Sequence, residues 1–164
     1  MALELNGTTG VSLVQDGVIT DANLPAGSVL QVVAFTTSTN IGTTSTSPVA
    51  TNVEATITPT STSSKILVQV HLNGVNGPNA LRYANFWLYK NDVLLQSLQQ
   101  GVARNLDLRH EGCSNSYLDS PSSTSALKYT VYWASGDGGS IGMTNYVNAS
   151  DTTTSSIILM EIAG

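Results

Sequence analysis

The stretch "TITPTSTSSKILVQV", residues 56–70, decides how this chain is read. Residues 58–64 are Thr or Ser apart from Pro59, and they separate two runs that alternate with a period of two. Before them, "VEATIT" sets Val53, Ala55 and Ile57 on one side and Glu54, Thr56 and Thr58 on the other. After them, "KILVQVHL" sets Ile66, Val68, Val70 and Leu72 together. That period is the pleat of a half-buried strand. Pro59 lacks the N–H that a ladder needs and ends the first run. The hydroxyls that follow satisfy turn backbone without helix propensity and without charge. The stretch therefore reads as strand, turn, strand.

The same grammar extends in both directions. "SVLQVVAFT", from Ser28, is apolar on both parities and is expected to be a buried strand. Residues 41–52, "IGTTSTSPVATN", are expected to be a loop, as are 73–79, "NGVNGPN", and 109–125, "RHEGCSNSYLDSPSSTS". "ANFWLYKNDVLLQSL" reads as a hairpin with Lys90, Asn91 and Asp92 at its tip. Over 93–108, Leu94, Leu98, Val102 and Leu106 recur at four-residue spacing, which admits a helix; Gly101 and the preceding hairpin favour strand then loop. "ALKYTVYWAS" alternates again, "GDGGS" is a turn, and "IGMTNYVNA" is a short strand broken at Gly142. "SSIILMEIAG" is apolar on both faces, which suits the middle of a sheet or a subunit contact. Residues 28–164 are thus expected to form one all-β domain, a β-sandwich or jelly roll.

Residues 1–27 differ. Leu3, Leu5, Val11, Leu13 and Val14 are interrupted by Asn-Gly, Thr-Gly and Asp-Gly turn signals, too broken to build a core. They are expected to form an extended arm buried against another molecule, with "LPAG" marking its junction to the domain.

Composition excludes several roles. The 164-residue chain has three Lys and three Arg, all dispersed, and a net charge of −5. Nucleic acid and anionic membranes both require clustered cations, and none occur here. Charged residues make up 10% of the chain, while Thr and Ser together fill about a quarter of it. So few charges make solubility depend on covered apolar surface, a hint of assembly. The single cysteine, Cys113, rules out an intrachain disulfide and fits synthesis in a reducing cytoplasm. No apolar run approaches the ~18 residues of a membrane span, and no signal peptide is expected.

Catalytic chemistry finds no footing. "DLRHEGC" gathers Asp107, His110, Glu111 and Cys113, all potential metal ligands, without a second cluster to complete a site. His71 shares the polar parity of Gln69 and reads as a surface histidine. Asp137, in "SGDGGS", fits a hairpin turn better than a calcium loop, because the motif is not repeated. No Gly-x-Ser-x-Gly elbow surrounds any serine. Trp87 and Trp133 have the chemistry to stack on a sugar, but tryptophans on alternating strands more commonly serve a core. No cofactor is expected, and no enzyme activity.

Three phrases in this order, "LPAGSVLQVV", "ITPTSTSSKILVQV" and "SSIILMEIAG", resemble C-terminal modules of tailed-bacteriophage virion proteins, particularly those of phages infecting cyanobacteria. "NFWLYKNDVLL" resembles the strand-turn-strand of those modules, and "NGTTGVSL" their Gly-punctuated lead-in. The resemblance implies a homotrimer with a jelly-roll or tumour-necrosis-factor-like head. Its trimer contact is expected at Ile158, Met160, Ile162 and Tyr132. The family's long shaft does not precede the domain here, which favours a capsid decoration (cement) protein. The arm residues Leu3, Leu5, Val11, Leu13 and Val14 would then hold the major capsid protein or another virion protein. The alternative is the receptor-binding tip of a short tail or head fibre. It would read host glycans through loops bearing Arg82, Arg109, His110 and Tyr117. Either way the expected location is the virion, on capsid surface or tail, after synthesis in the bacterial host cytoplasm.

Overall fold

In the computed structural model, which describes residues 24–75, 83–102, 111–143 and 153–164, every regular element is a strand. Ten are found among the described residues: β1 (Val29–Thr37), β2 (Ile41–Thr43), β3 (Val49–Ile57), β4 (Lys65–Val75), β5 (Ala84–Lys90), β6 (Val93–Val102), β7 (Glu111–Asp119), β8 (Leu127–Ser135), β9 (Ile141–Met143) and β10 (Ser155–Ile162). Eight of them form two four-stranded antiparallel sheets, ordered β1-β10-β4-β7 and β3-β8-β5-β6. The chain is an all-β sandwich, and the inner faces of the two sheets share one core.

The period-two residues build that core. Ile57, Ile66, Val68, Val70 and Leu72 come from the two runs around the Thr/Ser stretch. Phe86, Leu88, Tyr129, Val131 and Trp133 face them from the other sheet, and Ile157 and Leu159 come from β10. Phe86 and Trp133 stack with centroids 6.2 Å apart. β2 and β9 form a separate ribbon in which Gly42 sits opposite Gly142 and Ile141 and Met143 are fully buried.

The hairpin is found where the sequence places it. β5 and β6 are joined by Asn91 and Asp92, with φ of 48° and 64°, between the paired residues Lys90 and Val93. Two successive positive φ angles are the mark of a type I′ turn, whose twist matches that of the strands. Asn91 is also clamped to β8: its N–H donates to Lys128 O at 2.9 Å, and its Oδ1 accepts from Lys128 N at 2.9 Å.

Residues 93–102 form a strand, the reading favoured over a helix; residues 103–108 lie outside the described part. Other expectations are corrected. Residues 111–119, expected to be loop, form β7, whose ladder is supplied by β4 and whose Cys113 and Asp119 turn inward. Within 41–52, only residues 44–48 remain a connection, because β2 and the start of β3 occupy the rest. "SVLQVVAFT" is a strand but not a buried one. β1 is the edge of its sheet, with Val29 and Val32 52% and 56% exposed. β10 lies between β1 and β4, mid-sheet, as its two-faced apolarity suggested.

Candidate functional site

Among the described residues, the outward face of the β1-β10-β4-β7 sheet is not covered by the sandwich's own core. Its register can be read strand by strand. One row runs Val32, Met160, Leu67, Leu118 across all four strands. The next is Ala34, Ile158, Gln69, Ser116, and the next Thr36, Ser156, His71, Ser114. On the other side, Val29 pairs with Ile162, which pairs with Lys65. The face therefore grades from apolar to hydroxylated along the strands. Met160 and Leu67 are half-buried between their neighbours, and Leu118 on the far edge is 52% exposed. None of these rows contains a carboxylate, although the chain has eleven Asp and Glu. An uninterrupted apolar row without charge, bordered by polar groups, has the make-up of a protein contact.

A buried acid locks this face in place. Glu161 turns inward beside Met160 and is fully buried. Its Oε1 accepts from the Thr60 N–H at 2.7 Å and the Thr60 hydroxyl at 2.8 Å, and its Oε2 accepts from Gln31 Nε2 at 2.6 Å. The same Gln31 amide donates to Thr58 O at 2.8 Å. The buried Ser64 hydroxyl lies beside the carboxylate without hydrogen-bond geometry. Burial pushes the Glu161 carboxyl up, but the Ser64, Gln31 and Thr60 groups pull it further down, below its ordinary value. The hydroxyl run at 58–64 is thus more than a neutral turn: it solvates a carboxylate 101 residues away. Through Gln31, it also fixes the edge strand β1.

The expected site residues fall into separate places. Ile158, Met160 and Ile162 share the apolar face. Tyr132 does not join them; it lies on the outward face of the opposite sheet, paired with Trp87. Tyr117, expected on a loop, is on β7 opposite Val68 and packs half-buried against the core. Arg82, Arg109 and His110 lie outside the described residues, as do the arm residues Leu3, Leu5, Val11, Leu13 and Val14 and the candidate ligand Asp107. Cys113 is buried in the core, where desolvation pushes its thiol up to about 11. Among the described residues no group of three His, Cys, Asp or Glu is disposed to hold a metal ion. His71 is exposed and shares a 3.1 Å hydrogen bond with Ser114 Oγ. Asp137 Oδ1 accepts from Ser135 Oγ and Gly139 N, closing the hairpin turn around itself.

The two tryptophans part company. Trp133 is core, 1% exposed, whereas Trp87 is half-buried on the solvent side of β5. Beside it, Tyr89 and Tyr132 stack with centroids 4.0 Å apart and planes 24° apart. The Tyr132 hydroxyl donates to Asp92 Oδ1 at 2.9 Å, and that hydrogen bond, with a lesser contribution from burial, raises the phenol above its ordinary value. Sequence periodicity assigns Trp87 to the face opposite Phe86 but is silent on which face holds the core. Only the pairing of β5 with β8 settles it.

The chain matches no protein-family model, and no curated protein matches it significantly.

Proposed function

We propose that this protein is a non-enzymatic structural component of a phage virion. In this reading it assembles as a homotrimer and decorates the capsid, held there by residues 1–27. The single observation that carries the reading is the charge-free apolar row Val32, Met160, Leu67, Leu118 on an outward sheet face. A chain of net charge −5 resists self-association unless the contact excludes its acids, and this face does so. The partner that best fits is another copy of the chain, and closed rotational symmetry buries such a face on every copy. The strand orders β1-β10-β4-β7 and β3-β8-β5-β6 support the jelly-roll reading of the sandwich.

Light scattering on the purified chain tests the assembly. The expected mass is three chains, and Leu67→Asp or Met160→Asp should yield a monomer that keeps its far-ultraviolet spectrum. A wild-type monomer at micromolar concentration refutes the trimer. Deleting residues 2–24 should leave a folded trimer that no longer binds capsids, and undiminished capsid binding refutes the anchoring role.

A further inference from the structure

We propose that the opposite outward face, on the β3-β8-β5-β6 sheet, is a binding platform for a neutral glycan. Trp87 and Tyr89 are two residues apart on β5, so both point outward about 7 Å apart. Tyr132 pairs with Trp87 across to β8 and stacks on Tyr89 at 4.0 Å. The three rings form one patch two strands wide. Their inward neighbours Phe86, Leu88 and Trp133 already supply the core, so packing does not require aromatic residues on this side.

The surroundings suit a sugar, which is amphipathic in the same sense as the patch. A pyranose offers an apolar C–H face to an aromatic ring and a rim of hydroxyls to polar groups. Here exposed Leu94 pairs with Tyr89 and exposed Ser97 with Trp87, extending the patch on β6. Asp92 stands at the hairpin tip beside Tyr132, and Glu54 on β3 accepts from Thr130 Oγ1 at 3.2 Å. Carboxylates bordering aromatic rings are strong acceptors for sugar hydroxyls. The rings are also held before any ligand arrives, by the Tyr stack and the Tyr132–Asp92 hydrogen bond, which reduces the ordering needed on binding.

Charge selects among ligands. Among the described residues the cation of this face is Lys128, which lies 3.6 Å from Glu54 and is offset by it, leaving Asp92 in excess. Acidic glycans and phosphorylated ligands are therefore disfavoured. A quaternary ammonium ion prefers rings boxed around it, whereas these tyrosines lie nearly parallel. A second copy docked through this face would bring like charges together. A neutral saccharide meets none of these objections.

The test applies the full 164-residue chain to an array of neutral hexose, N-acetylhexosamine and deoxyhexose oligosaccharides with acidic glycans alongside, and then titrates the best neutral hit by calorimetry, with Trp fluorescence followed for the wild type. Binding to at least one neutral class is expected, with a blue shift from Trp87. Trp87→Ala should weaken it about tenfold or more, and Trp87→Phe, which keeps a ring, should weaken it far less. Should Trp87→Ala fail to fold, Ser97→Arg obstructs the platform from an exposed position and should cause the same loss. Retention of acidic glycans alone, of none, or binding indifferent to these substitutions overturns the proposal. Loss of trimer mass in Trp87→Ala, without glycan binding in the wild type, overturns it as well and assigns the face to self-association.

Discussion

Replacing Glu161 by Gln is the sharpest probe of how the sandwich is held together. The substitution keeps the volume of the side chain but turns one acceptor oxygen into an NH₂ donor. On the Oε1 side that donor meets the N–H and hydroxyl of Thr60, and the N–H has no freedom to reverse. On the Oε2 side it meets Gln31 Nε2, which escapes only by flipping its amide and abandoning Thr58 O. The first arrangement leaves a buried donor without an acceptor, at about 1–3 kcal/mol; the second leaves Thr58 O without its donor; and both lose charge-assisted bonds besides. We expect a loss of ~2–4 kcal/mol for Glu161→Gln. For Glu161→Ala, which strands all three donors, we expect ~3–5 kcal/mol. In a domain of this size the Gln variant should melt ~5–15 °C lower. Urea unfolding at fixed protein concentration is the assay, since any self-association couples to the midpoint. The pH dependence follows from the depressed carboxyl. Its contribution is fully present above the ordinary value of 4.5 and is lost as pH falls through the lower folded value. Wild type and Glu161→Gln should therefore converge in acid. A Gln variant within ~0.5 kcal/mol of wild type at pH 7 refutes the claim that this carboxylate is ionised and locks β1 to the 58–64 turn.

Three further outcomes are expected. A Cβ at Gly136 would fall inside the Tyr83 ring, whose backbone and hydroxyl both bond Gly136, so Gly136→Ala should cost ~1–3 kcal/mol in urea unfolding. Asn91→Ala loses both a tolerated positive φ and the bond from Lys128 N, about 1–2 kcal/mol, whereas Asn91→Gly keeps the backbone geometry and should lose less. Cys113, buried and with its thiol pushed up to about 11, should resist thiol reagents at pH 8 in the folded state and react at the rate of unfolding.

The strands that carry the core were legible wherever one parity was apolar and the other polar. Ile66 to Leu72 and Leu127 to Trp133 fell where the alternation put them. β7 was not legible, because "EGCSNSYLD" has few apolar residues on either parity and is ordered by the ladder that β4 offers. β1 misled for the opposite reason: apolar on both parities, it looks central, yet it ends the sheet and leaves Val32 in solvent. Periodicity reports what a strand contains and not who stands beside it. The same gap explains the split between Tyr132 and the β10 residues, which occupy opposite faces of the sandwich. It also hid the role of Thr60, whose partner carboxylate no local pattern could indicate.

The placement of β10 has a consequence for how the protein comes into being. During synthesis β1 and β4 emerge early, yet they are not neighbours; the strand that joins them is Ser155–Ile162. Until the ribosome releases that segment, the sheet has a missing plank, with the inward faces of β1 and β4 open to water. Folding of this sheet should therefore wait until Ser155–Ile162 has emerged, leaving the nascent chain dependent on chaperones until then.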